Sequence, residues 1–152
     1  MNTPSTTISP AARWTGRLLS ALVIVFLLLD AAIKLAALPV VTQTLVDLGY
    51  PDSAGLARGL GVLTLACVLL YAYPRTAVLG AVLLTGLLGG AMATHLRAGS
   101  PVFSHFLFGA YLGLIAWGGL YLRDPRLRAL LPWQRHMASE PEHAPTLAPA
   151  TK

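Results

Sequence analysis

Charged residues are scarce in this chain. Only 11% of its 152 residues are Asp, Glu, Lys or Arg, whereas 55% are hydrophobic and the mean hydropathy is +0.66. Soluble domains have about 25% charged residues. Because the deficit is spread along the whole chain, it excludes a soluble domain with a single membrane anchor and indicates an integral membrane protein that contacts the lipid bilayer.

Cysteine is nearly absent as well, since Cys67 is the only one. A single cysteine excludes an intramolecular disulfide, a CxxC redox pair and a cysteine metal cluster. Some four-helix membrane enzymes work by thiol–disulfide exchange, and this chain lacks the second thiol for that chemistry. We expect Cys67 to pack as a small hydrophobic residue. Motifs of the type GxxxxGK[ST], GxSxG and HExxH are missing too, so nucleotide and hydrolase chemistry lack support.

Four long apolar segments are present, each close to the roughly 20 residues that a helix needs to cross a bilayer. They predict an all-α fold, an integral membrane four-helix bundle over residues 13–132, with spans at about 18–38, 56–73, 76–96 and 102–122. Between the first two spans, residues 40–48 predict a short amphipathic helix at the interface. Polar, proline-containing segments at 1–12 and 133–152 predict disordered tails.

Basic residues predict the orientation of the bundle. With four spans, both termini and the 73–75 turn lie on one side, and that side carries eight bases: Arg13, Arg17, Arg75, Arg123, Arg126, Arg128, Arg135 and Lys152. The other side carries Arg58 and Arg97. This bias predicts that the N-terminus and the C-terminus are both cytoplasmic. Because the bases cluster at segment ends, the net charge of +5 indicates membrane orientation, and we expect no nucleic-acid partner.

Asp30 and Lys34 interrupt the first apolar segment, and they are the feature around which the bundle is arranged. At a spacing of i and i+4, they lie on one face of a helix, with the acid before the base. Charges inside a membrane are costly, so the pair should face other helices rather than lipid. The topology brings His95 and His105 to the same outer end, with Arg97 beside them. This candidate site has no metal in our interpretation, because nothing in the spacing demands one.

Two interpretations of this cluster stay open. In the functional one, histidine, lysine and a protonated acid bind a polar head group or relay protons, as a quinone head group would require. In the structural one, Asp30 and Lys34 neutralise each other and fix helix packing, while the histidines lie in the wet interface. Lys34 is also near enough to the helix end to extend its ammonium group towards water.

Two GxxxG motifs indicate close helix packing. They are formed by Gly86 with Gly90 and by Gly109 with Gly113. Small residues at this spacing let two helix backbones approach each other. These faces are also where we expect contacts with a second copy of the chain or with other membrane subunits.

From about Gly16 to Leu131, the chain resembles the DoxX-like family of small four-helix membrane proteins. The resemblance rests on the sequences Asp30-Ala31-Ala32-Ile33-Lys34-Leu35, Leu48-Gly49-Tyr50-Pro51, Tyr73-Pro74-Arg75 and Ala91-Met92-Ala93-Thr94-His95-Leu96-Arg97-Ala98-Gly99-Ser100-Pro101. It implies a multi-pass protein of a cell membrane. The Ala- and Leu-rich composition, with Arg far outnumbering Lys, indicates a GC-rich bacterial genome, so we expect the inner membrane of a bacterium. The resemblance also implies a link to quinone, because the family takes its name from an enzyme that passes electrons from thiosulfate to quinone.

We therefore expect an accessory redox component near the quinone pool. Two alternatives are a non-catalytic membrane assembly or packing subunit, and a binder or carrier of a small lipophilic molecule. The sequence leaves open whether the protein is an enzyme. The family defines no catalytic residue that can be transferred to this chain, so Asp30, Lys34, His95 and His105 are candidates from their placement alone.

Overall fold

The computed structural model describes residues 9–130, and within this range it contains helices and no strand. The elements are α1 (Pro10–Leu35), α2 (Pro39–Asp47), α3 (Ala54–Ala72), α4 (Ala77–Arg97), a π-helical turn (Val102–Phe106), α5 (Phe108–Arg123) and α6 (Pro125–Leu130). The predicted tail at 133–152 and residues 1–8 of the other predicted tail lie outside the described residues.

In the described part of the chain, four helical segments are long and apolar enough to cross a membrane, namely α1, α3, α4 and the π-helical turn together with α5. They pack as a ring in the order α1, α3, α4, α5, in which α1 contacts both α3 and α5. The short helix α2 packs on α3. The predicted all-α four-helix membrane bundle is therefore confirmed, including the amphipathic helix between the first two spans.

The ends of α1 differ from the predicted ends. The helix begins at Pro10, inside the segment predicted as a tail, because the Ser9 hydroxyl accepts a hydrogen bond from a first-turn amide and proline fits the first helical position. It ends at Leu35 rather than at residue 38. Ala37 adopts a left-handed φ of 50° that stops the helix, and Pro39 then starts α2.

Tyr71 is the most extensively hydrogen-bonded side chain of the core. Its fully buried hydroxyl donates to the Ala116 carbonyl at 2.8 Å and lies 3.0 Å from the Ser20 hydroxyl. Its own carbonyl, near the end of α3, accepts a hydrogen bond from the Arg123 guanidinium at 3.2 Å. One residue thus joins α3 to both α1 and α5 at the end of the bundle that carries Arg123, here called the Arg123 end.

Close helix contacts are made by glycines outside the two predicted motifs and, within them, by Gly109, where an added Cβ would lie 2.7 Å from the Met92 Cγ. A Cβ at Gly80 would overlap the Tyr71 backbone, and a Cβ at Gly16 would lie 2.8 Å from the Arg123 backbone nitrogen. By contrast, nothing lies within 4 Å of a Cβ at Gly86 or Gly90. The expectation that this GxxxG motif packs two helices of the chain together is wrong, because α3 and α4 meet at Gly80 and are apart farther along.

Gly80→Ala should destabilise the bundle by about 2 kcal/mol or more, since backbone atoms at Tyr71 cannot move aside as a flexible side chain can. The matched control is Gly86→Ala on the same helix, which meets open space and should be neutral or slightly stabilising because alanine favours helix. Thermal unfolding of the detergent-solubilised variants measures the difference. Equal unfolding temperatures would show that α3 and α4 are not closed at Gly80.

Candidate functional site

Asp30 and Lys34 lie on the C-terminal part of α1, on one face of the helix. The Asp30 carboxylate accepts a hydrogen bond from the Lys34 ammonium group, and the two side chains are 25% and 27% exposed. At 1.5 Å per residue, Asp30 is about 20 Å along the helix from Arg17. A hydrocarbon layer is about 30 Å thick, so the pair lies at membrane depth if Arg17 marks one surface.

A cavity of about 860 Å³ lies beside this pair, bounded by α1, α2, α3 and α4. Most of its lining is aliphatic, and Cys67 contributes to the wall as a buried residue. The polar lining is concentrated at the end away from Arg123: Asp30, Lys34, Thr44, Tyr50, Thr94 and His95. The cavity thus has an apolar body and one polar end.

The two histidines occupy different positions at this polar end. His95, in the last turn of α4, lines the cavity, and its Nδ1 lies 3.0 Å from the Ser100 hydroxyl. His105 is exposed on the π-helical turn, with its Nδ1 2.8 Å from the Ser104 hydroxyl. The ring centroids are 5.7 Å apart. The topology therefore brings the histidines together, but His105 lies outside the cavity, on the surface side of His95.

Arg97 lies beside the candidate cluster, but it positions a loop rather than contributing to the cavity. Its guanidinium donates to the Leu48 carbonyl at 2.8 Å and holds the loop between α2 and α3 against the end of α4. It does not line the cavity. In the same loop, the Tyr50 hydroxyl lies 3.1 Å from the Thr94 hydroxyl, and both residues do line it. Arg97 is thus a contact that positions the loop carrying Tyr50.

Sequence reasoning missed Tyr50 and Thr94 as site residues. The Gly49-Tyr50-Pro51 pattern predicts a turn, which the structure has, with Gly49 at a φ of 84°. It cannot show that the turn folds back over the end of α4. Thr94 could have been found from its position in the sequence. It directly precedes His95 and lies four residues, about one helical turn, after Gly90.

The chemistry of the polar end is that of hydrogen bonding to a neutral head group. The ion pair carries no net charge, while the ammonium, the hydroxyls and the imidazole supply donors around one volume. Among the residues that the structure describes, no group of three or more His, Cys, Asp and Glu side chains is placed to hold a metal ion.

Lys34→Met should lower the free energy of unfolding by about 1–2 kcal/mol, between the values for exposed and buried ion pairs, because it leaves the Asp30 carboxylate unpaired. Adding Asp30→Leu to that variant should restore most of the stability, since no charge is then left without a partner. Chemical unfolding in detergent measures the three variants. A double variant that is less stable than Lys34→Met would show that the pair itself stabilises the bundle.

One family model matches the chain, that of the DoxX-like family, over residues 18–119. No curated protein and no solved structure matches it. The matched region contains all four membrane spans except the first turns of α1 and the end of α5, and it includes every residue that lines the cavity. With a match over two thirds of its length and a bundle of four apolar helices, the chain belongs to the DoxX-like family and is a multi-pass membrane protein.

Proposed function

We propose that this DoxX-like protein is an accessory redox component that binds a quinone near the polar end of its cavity. The observation that carries the proposal is the position of Asp30, Lys34 and His95 at one end of an otherwise apolar cavity of about 860 Å³. Binding sites for lipophilic molecules combine an apolar lining with a few convergent polar groups. A quinone has the matching form, with two carbonyl acceptors on an apolar body.

The polar residues suit the proton requirement of quinone chemistry. Reduction of a quinone to a quinol takes up two electrons and two protons, and two thiosulfate ions release two electrons when they join as tetrathionate. In this proposal a partner subunit delivers the electrons, with a sulfur compound as the donor. Lys34 and Tyr50 donate hydrogen bonds to the head group, and His95 connects the cavity to the exposed His105, which exchanges protons with water.

The orientation and location are also proposals. The exposed bases Arg13, Arg17 and Arg75 lie at the Arg123 end, whereas Arg58 lies at the other. Because cytoplasmic loops carry the excess of bases, we place both termini in the cytoplasm of a bacterium and the polar end of the cavity towards the outer face of the inner membrane.

The placement of the ion pair bears on the alternative of a packing subunit. Asp30 and Lys34 belong to the same helix, so their contact does not fix α1 against a neighbour. That favours a binding role over a purely structural one. The apolar lining fits a carrier of a lipophilic molecule equally well. Only measured quinone reduction distinguishes a redox component from a carrier.

Contacts with a second copy or with other membrane subunits through the GxxxG faces stay a proposal. Within the chain, Gly109 is already packed against the Met92 side chain, since a Cβ added at Gly109 would lie 2.7 Å from the Met92 Cγ. Gly113 has open space around it and lines a second groove, between α4 and α5. If the second motif mediates assembly, this groove is its surface.

Asp30→Asn should abolish chain-dependent quinone reduction in membrane vesicles supplied with thiosulfate or related sulfur donors. The amide keeps an oxygen that accepts from Lys34, which limits the loss of folded yield, while the negative charge that holds the Lys34 ammonium beside the head group is lost. The matched control is Asp47→Asn on α2, since Asp47 is exposed and does not line the cavity.

The outcomes separate the three functions. Loss of quinone reduction in Asp30→Asn, with Asp47→Asn active, supports the redox proposal. A reduced folded yield of Asp30→Asn, together with a wild type that supports no quinone reduction, would favour the packing subunit. Changed ligand affinity, again without turnover, would favour the carrier.

A further inference from the structure

The cavity has one side that is not covered by protein in the described part of the chain. Besides Val40 on α2 (63%), three lining side chains between α3 and α4 are about half exposed, Leu63 (49%) on α3 and Val82 (52%) and Leu83 (43%) on α4. A residue that lines the cavity and is exposed at the same time lies at its opening. All three are aliphatic and belong to membrane-spanning helices, so this opening faces the lipid tails rather than water.

The opening follows from the way α3 and α4 are joined. They touch at Gly80 and Tyr71, next to the short turn that connects them. Farther from that turn, Gly86 and Gly90 line the cavity and nothing lies within 4 Å of a Cβ added to either. The space between the two helices from Val82 to His95 is here called the α3–α4 cleft.

The length of the cleft and the position of its polar groups indicate what shape of ligand would fit. Val82 and His95 are about 20 Å apart along α4 at 1.5 Å per residue, which exceeds half of a hydrocarbon layer about 30 Å thick. Most polar lining groups lie at the His95 end, and the Thr64 hydroxyl on α3 is already bonded to the Leu60 carbonyl of its own helix. A ligand that is only a compact head group would fill the polar end and leave the apolar part of the cleft empty. A long apolar tail attached to the head group would fill that apolar part.

We infer that the ligand is a long-tailed amphiphile, which enters from the bilayer through the α3–α4 cleft and leaves its tail there, beside Gly86 and Gly90. The inference rests on the proposed function for its head-group site and adds the class of ligand and the route of entry. The glycines keep the cleft open, because any larger side chain at these positions would project into the volume of the tail.

Gly90→Leu tests this at a position where an added Cβ meets no atom within 4 Å outside its own helix backbone, so the new side chain starts in open space rather than in a packed contact. The matched control is Gly89→Leu. Gly89 is the preceding residue on α4 and is equally open, but it lines the groove between α4 and α5 instead. A graded series of Ala, Val and Leu at position 90 keeps the test valid if the largest substitution lowers the folded yield.

The measurement is equilibrium binding to the purified chain in lipid nanodiscs, with a radiolabelled benzoquinone that carries a decyl tail and with the same head group without its tail. We expect the wild type and Gly89→Leu to bind the tailed quinone at least tenfold more tightly than the tailless one. Gly90→Leu should lose at least tenfold in affinity for the tailed quinone, and the Ala and Val variants should lie between.

Several results would overturn the inference. Equal affinity for the two quinones, or equal losses at positions 89 and 90, would show that the tail does not occupy the cleft. A change of oligomeric state in Gly90→Leu alone would make this face a protein interface instead. Binding needs no turnover, so these results are independent of the vesicle assay: a redox-active protein without tail selectivity would retain the proposed function and lose this inference.

Discussion

The backbone contact between Gly80 on α4 and Tyr71 on α3 determines where this bundle is closed and where it is open. In a membrane the hydrophobic effect does not drive helices together, so close packing and buried hydrogen bonds must hold them. Both occur together at the Arg123 end, where the Tyr71 hydroxyl also joins α1 and α5 through Ser20 and Ala116. Because that end is closed so tightly, α3 and α4 can separate at the other.

The open end is where the polar side chains lie, and the two features depend on each other. An ion pair facing lipid would be costly, whereas Asp30 and Lys34 face a cavity that also contains hydroxyl and imidazole groups. The loop after α2 covers this end, and Arg97 holds it through the Leu48 carbonyl. The result is a polar compartment that stays connected to the bilayer along the α3–α4 cleft.

The sequence predicted the architecture well because its signals are local. The length of the apolar segments predicted the four spans, and α3 and α4, which only a short turn at 73–75 separates, are in contact. The convergence of Asp30 and His95 followed from topology alone. Gly80 was missed because nothing local distinguishes it from the other glycines of α4, and only its contact with Tyr71 does so. The π-helical turn that carries His105 likewise has no periodicity signal.

Photo-crosslinking tests most directly whether the polar end of the cavity receives the head group of a lipophilic molecule. A long-tailed quinone with an azide on its head group is irradiated with the protein in nanodiscs, and the labelled residues are mapped by mass spectrometry. We expect labels near Lys34, Tyr50 and His95, suppressed by excess unlabelled quinone. Labels at the Arg123 end or on lipid-facing surfaces, unaffected by the competitor, would contradict the account.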